Sequence, residues 1–128
     1  MLSFYAKRSP GEEFEKIKAP LEKGVWVDCP NVTEDETKQL IKTYGLDANI
    51  VYDVRDRHEL PRVEFSNSTM YVFLLVPHLA NSGNVITLPL LCVVKENVFI
   101  SISTGETVPP ESLSLSTLPI TTEQTQTL

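Results

Sequence analysis

The side chains best suited to chemistry lie in one short segment near the middle of the chain. It contains Asp53, Asp56 and His58, and Tyr52 precedes the first of them. Two carboxylates beside an imidazole are groups that general acid–base catalysis can use, provided that a pocket brings them together. Whether these residues meet depends on the elements that hold them.

Local signals place this segment in the second of two short helices. Gly45 suits the left-handed conformation that ends a helix, and Asp47 can cap the next helix by accepting hydrogen bonds from its free N–H groups. Pro61 disfavours helical geometry at Leu60. We therefore predict that the second helix ends by about Glu59.

Helical periodicity assigns the faces of this helix. It has an apolar stripe, formed by Ile50, Val51 and Val54. At 3.6 residues per turn, Tyr52 points about 150° away from that stripe, Asp53 lies on its flank and Asp56 is nearly opposite. We expect an exposed tyrosine beside a carboxylate, on a face that spreads the acids apart and argues against an enzyme. The plainer interpretation is a solvated face with loose ion pairs, each worth about 0–1 kcal/mol.

Composition narrows the class of protein. The chain has 128 residues, a net charge of −6 and a pI near 4.9, so it suits one domain and lacks the basic footprint that nucleic-acid binding requires. Cys29 and Cys92 lie inside predicted strands without metal or redox spacing, which indicates buried free thiols in a reducing compartment. His58 and His78 are isolated, and the glycines are scattered singly rather than in a phosphate-binding loop.

The remaining patterns predict an α/β fold, with a mixed sheet of about six or seven strands and the two short helices packed on one face. The first helix, Thr33–Tyr44, opens with a capping box of Thr33 and Glu36. Alternation and apolar runs predict strands at Leu2–Ala6, Phe14–Ala19, Val25–Cys29, Arg62–Phe65, Thr69–Val76, Val85–Val94 and Val98–Ser103.

The uncharged stretch Phe65–Val94 is not expected to span a membrane. Polar and turn-forming residues at Pro77–Asn84 predict a loop in its middle, and each apolar half is shorter than the roughly 20 residues a spanning helix needs. Pro89 predicts a bulge or an edge position in the strand that contains it. We therefore expect a soluble chain.

Composition shifts after Thr104, so we predict one domain over residues 1–104 and a connector over 105–128. Thr121 and Gln124 have the pattern of another helix start close to the end of the chain. This pattern favours a fragment of a longer protein, and a polar tail is the alternative.

The order of several motifs resembles the cytoplasmic N-terminal domain of CorA-type magnesium/cobalt transporters. The resemblance covers about Val25 to Ser103. Its residues are Trp26-Val-Asp28 with Asn31 and Thr33, then Tyr44-Gly45-Leu46, Asp53, His58, Pro61-Arg62-Val63-Glu64-Phe65 and Tyr71-Val-Phe73.

The resemblance implies a homopentameric divalent-cation transporter with this domain at the cytoplasmic face of the membrane. It implies that Asp53 takes part in a regulatory Mg²⁺ site between subunits, with Tyr52 and Asp56 at the interface and the second carboxylate on a neighbouring stalk helix. Co²⁺ or another divalent cation is an alternative ligand. The chain has no stalk and no membrane helices, so it is not expected to transport ions alone. A stand-alone binding or scaffold module with the same fold is the other hypothesis.

Overall fold

The computed structural model of the chain describes residues 2–6, 15–18 and 24–105. Within this part, seven strands form one sheet and two short helices connect its third and fourth strands. The elements in chain order are β1 (Ser3–Ala6), β2 (Glu15–Ile17), β3 (Val25–Cys29), α1 (Glu34–Tyr44), α2 (Ala48–Tyr52) with a 3₁₀ turn (Asp53–Arg55), β4 (Arg62–Ser66), β5 (Thr69–Leu79), β6 (Val85–Lys95) and β7 (Val98–Ser103). The α/β fold class and all the predicted strands are confirmed.

The sheet is mixed, with strand order β2-β1-β3-β7-β6-β5-β4. Strands β3 and β7 are parallel, and the other neighbours are antiparallel. Val27, Ile100, Val93 and Tyr71 follow one another across four strands by their pairing and are all buried. These side chains share one face of the sheet and belong to the core that also contains the buried residues of the helices, so both helices cover that face.

Local signals place helix α1 as the sequence predicts. Thr33 Oγ1 accepts a hydrogen bond from the Glu36 N–H at 3.1 Å, and Glu36 Oε1 accepts one from the Thr33 N–H at 3.0 Å. Gly45 ends the helix with φ +65°. Lys95 Nζ donates to the Tyr44 carbonyl at 2.7 Å, which places a cation at the negative end of the helix dipole.

The second helix is shorter than predicted. It ends at Tyr52 and passes through the 3₁₀ turn to Arg55, rather than continuing to about Glu59. Asp56 adopts an extended conformation with ψ 111°. Its carboxylate accepts a hydrogen bond from the His58 N–H at 2.9 Å, and this local bond competes with helical hydrogen bonding.

The loop predicted at Pro77–Asn84 is also wrong in its extent, because β5 continues to Leu79. Pro77 is tolerated since β4 pairs with β5 only as far as Phe73, and no other described strand pairs with that edge of β5. Pro89 pairs with Leu75 in an unbroken register, so there is no bulge there. The pairing of β6 with β7 stops at Leu90, so Pro89 does occupy an edge position.

The two cysteines are free thiols within strands. Cys29 is buried and Cys92 is partly buried. Burial raises the pKa of the Cys29 thiol to about 12 and that of the Cys92 thiol to about 11, so both thiols stay protonated at neutral pH.

The rest of the predicted architecture falls partly outside the described residues. Three predictions lie outside the described residues: the strand ends at Phe14 and Ala19, the connector from residue 106 onward and the helix start at Thr121. No helix in the described part has the length and apolar character to cross a membrane.

Candidate cation site

The position of Asp53 is set by the anchored start of α2. The Asp47 carboxylate accepts hydrogen bonds from the N–H groups of Asn49 (3.0 Å) and Ile50 (3.3 Å), and the Asp47 N–H donates to the hydroxyl of Tyr71 on β5 at 2.9 Å. The predicted apolar stripe of Ile50, Val51 and Val54 is buried against the sheet. The 3₁₀ turn that follows α2 therefore occupies a fixed place over β6 and β7.

Asp53 is half exposed and bonded to an arginine. Its Oδ2 lies 2.7 Å from Nη2 of Arg62, with the Asp53 side chain 47% exposed and that of Arg62 33% exposed. The hydrogen bond that Arg62 donates to Asp53 raises the pKa of the Arg62 guanidinium above its usual value. In the described part of the chain, Asp53 Oδ1 accepts no hydrogen bond, so one carboxylate oxygen remains available to solvent or a cation.

Arg62 has further partners. Glu59 Oε1 lies 3.3 Å from its Nε and Glu64 Oε1 lies 3.4 Å from its Nη1. The guanidinium carbon also lies 4.6 Å from the ring centroid of Phe73. Three carboxylates thus surround one guanidinium, and the cluster keeps an excess of negative charge.

A single carboxylate such as that of Asp53 suits a hard cation that keeps most of its water ligands, rather than one enclosed entirely by protein ligands. Mg²⁺ prefers oxygen ligands, retains several waters and is often held by only one or two carboxylates. Among the residues that the structure describes, no group of three or more acidic, histidine or cysteine side chains could hold a metal ion. Asp53 can offer one carboxylate oxygen to a cation.

The other two predicted interface residues have different partners. The Tyr52 hydroxyl donates to Glu34 Oε1 on α1 at 2.8 Å, and this hydrogen bond raises the pKa of the Tyr52 phenol. The carboxylate beside Tyr52 is thus Glu34. Asp56 is exposed, and its side chain turns back to the His58 N–H.

In the described part of the chain, the structure does not link Asp53, Asp56 and His58 into one acid–base set through their side chains. Asp53 makes no side-chain hydrogen bond to Asp56 or His58 in the described ranges, and its carboxylate is held instead by Arg62. The pairing of Arg62 with Asp53 was not predicted. An alternating strand after Pro61 indicates which side chains share a face, but it does not show which helix residue lies over them.

Comparison with known proteins decides the family. The sequence model of the family described as "CorA-like Mg2+ transporter protein" matches residues 22–126. The chain belongs to this family. The CorA-like family is a family of transporters, not of enzymes, and a comparison with curated protein sequences found no match.

Solved structures share the CorA-like fold of this chain. They include the complete CorA magnesium transporter from Methanocaldococcus jannaschii, with 19% identity and a TM-score of 0.66. The matched region covers 84% of this chain and 33% of the transporter chain. The full-length CmaX protein has 13% identity and a TM-score of 0.66. The match covers 98% of this chain and 42% of CmaX. The ZntB cytoplasmic domain from Vibrio parahaemolyticus has 11% identity and a TM-score of 0.60. The match covers 82% of this chain and 44% of the ZntB domain. The chain therefore spans less than half of the length of these proteins.

Proposed function

We propose that this chain is the cytoplasmic, metal-sensing part of a CorA-like divalent-cation transporter. The observation that carries the proposal is the family match, which extends over residues 22–126. Ion conduction then requires membrane-spanning segments from the rest of the transporter. The domain lies at the cytoplasmic face of the cell membrane, and its partners are the other subunits of a homopentamer.

In this proposal Asp53 supplies one carboxylate of a regulatory Mg²⁺ site between subunits. Its half-exposed side chain supports this role, because one oxygen remains open while the other is held by Arg62. A second carboxylate comes from the neighbouring subunit, and Tyr52 and Asp56 border the contact. Co²⁺ or another divalent cation is the alternative occupant. A site that is half formed in each subunit binds weakly, as a sensor of cellular magnesium requires.

The test is a Mg²⁺ titration of the ¹⁵N-labelled chain followed by amide NMR, with Asp53→Asn as the variant. We expect shifts clustered at residues 52–56 in the millimolar range, and their loss in Asp53→Asn because the ligand oxygen becomes a neutral amide. Asp35→Asn is the matched control, since it removes the same charge from an exposed position in the first turn of α1.

The outcomes separate the proposal from general charge screening. Shifts that persist in Asp53→Asn, or that disappear equally in Asp35→Asn, would contradict a site at Asp53. If the isolated chain shows no clustered shift, the titration is repeated on a transporter assembly that includes the neighbouring subunit's carboxylate required by the proposal. Absence of an Asp53-dependent shift there as well would refute the regulatory site.

A further inference from the structure

A cavity separate from Asp53 lies where three parts of the fold meet. The region after α2 contributes Arg55 and Arg57, the outer half of the β5–β6 hairpin contributes His78 and Asn81, and Thr104 follows the end of β7. The volume is about 440 Å³, which is in the size range of small-molecule sites. Here it is called the arginine cavity.

The described residues that line the arginine cavity carry positive charge in an acidic protein. The chain has a net charge of −6, yet none of the described residues that line this cavity is acidic. Of the nearby acids, Asp53 is paired with Arg62, whereas Asp56 keeps its charge and accepts a hydrogen bond from the His58 N–H. In the described ranges, neither Arg55 nor Arg57 takes part in a salt bridge. Their charges are therefore available to an anion.

Arg55 is positioned by neutral groups. Its Nη2 donates to the Val32 carbonyl at 3.2 Å and to Thr37 Oγ1 at 3.3 Å. Thr37 is itself held, because its hydroxyl donates to the Thr33 carbonyl at 2.8 Å. A guanidinium oriented by uncharged acceptors keeps its full charge, and its planar set of donors matches the oxygens of phosphate.

Another part of the cavity lining is an apolar wall. Ala80, Ile86 and Leu88 line it beside His78. Gly105 makes room for this wall, because a Cβ atom at that position would lie 2.9 Å from Leu88 Cδ1 and 3.2 Å from His78 Nδ1. Any larger residue at position 105 would displace two of the side chains that form the cavity.

From these features we propose that the arginine cavity binds a small organic phosphate of the nucleotide class. The phosphates contact Arg55 and Arg57, and the base lies against Ile86 and Leu88. Arginine provides charge-assisted hydrogen bonds to phosphate, while the apolar wall accommodates the planar base. This ligand is distinct from the cation of the proposed transport function and does not depend on it.

The test is an amide NMR titration of the ¹⁵N-labelled chain with ADP in buffer that contains EDTA, so that no divalent cation takes part. We expect shifts that cluster around the arginine cavity. Arg57→Gln should weaken ADP binding about fivefold to tenfold, because it removes a charge-assisted contact. Lys42→Gln is the matched control, since it removes one positive charge from an exposed residue of α1 that does not line the cavity.

Two further arms identify the chemistry. Inorganic phosphate should shift the Arg55 and Arg57 region more weakly than ADP, and adenosine should give no clustered shift at the same concentration. Arg57 makes no hydrogen bond in the described part of the chain, so Arg57→Gln is expected to fold normally. Equal ADP affinity in Arg57→Gln and the unaltered chain, equal weakening in Lys42→Gln, or no clustered shift at millimolar ADP would each overturn the proposal.

Discussion

At the scale of single residues, Arg62 determines the state of Asp53. The guanidinium donates a hydrogen bond to Asp53 Oδ2 at 2.7 Å and so places a positive charge beside the carboxylate of the proposed cation site. It keeps Glu59, Glu64 and the Phe73 ring as neighbours even if Asp53 is released. Exchange between Arg62 and a divalent cation is therefore expected to cost little free energy, because the ion pair is partly exposed.

This arrangement predicts that Arg62→Gln binds Mg²⁺ about fivefold more tightly than the unaltered chain. The substitution removes both a competitor for Asp53 and a positive charge beside the cation, and a surface ion pair contributes up to about 1 kcal/mol. The measurement is the Mg²⁺ titration by amide NMR. Lys38→Gln is the control, because Lys38 pairs with Glu34 on α1 and not with Asp53.

The two possible failures of this prediction have different meanings. Mg²⁺ binding at Asp53 with the same affinity in Arg62→Gln would show that Arg62 does not compete, while the proposed sensing site would stand. If neither chain shows an Asp53-dependent shift, the sensing site itself fails.

At the scale of elements, the turns and helix ends are the best-specified parts of the chain. Thr33 and Gly45 cap α1 through bonds within a few residues, and Asp47 does the same for α2. Asn97 supplies the left-handed conformation, φ +68°, in the turn between β6 and β7. The caps fix where α1 and α2 begin and end. They thereby fix the position of Asp53, which directly follows α2.

We predict that Thr33→Ala lowers the free energy of unfolding by about 1 kcal/mol, because it leaves the Glu36 N–H without its capping oxygen. Thr43→Ala is the matched control. Thr43 is exposed inside α1, where alanine has the higher helix propensity, so this variant should be neutral or slightly more stable. Urea unfolding monitored by circular dichroism measures both. Equal stability of the two variants would show that the capping box contributes nothing.

At the scale of the whole molecule, the two faces of the sheet are in different environments. The face toward the helices carries the buried core, including Phe73, Leu91 and Ile102. Large apolar side chains on other parts of the sheet remain exposed, with Phe65 on the edge strand 74% accessible. The opposite face is buried at Tyr5 on β1 and Ser101 on β7 but exposed at Phe65 on β4, so the contrast in burial is sharpest between Phe73 and Phe65.

Two phenylalanines on neighbouring strands test this difference. We predict that Phe73→Ala destabilises the chain by about 3–5 kcal/mol, because it opens a cavity in the core, whereas Phe65→Ala changes stability by less than about 0.5 kcal/mol. Phe73 is 1% exposed. Chemical denaturation followed by Trp26 fluorescence measures both variants. A comparable loss in Phe65→Ala would indicate that its face of the sheet is covered in solution.

The sequence by itself determined the α/β class, the helix caps, most strand boundaries and the buried apolar stripe of Ile50, Val51 and Val54. These features arise from interactions between residues a few positions apart, as between Thr33 and Glu36, or from alternation along one strand. Tertiary structure alone decided the strand order, the extension of β5 through Pro77, and the pairings of Arg62 with Asp53 and of Tyr52 with Glu34. The arginine cavity likewise depends on three segments distant in the sequence. Such contacts depend on how two elements pack against each other. The residues of one element alone therefore do not predict them.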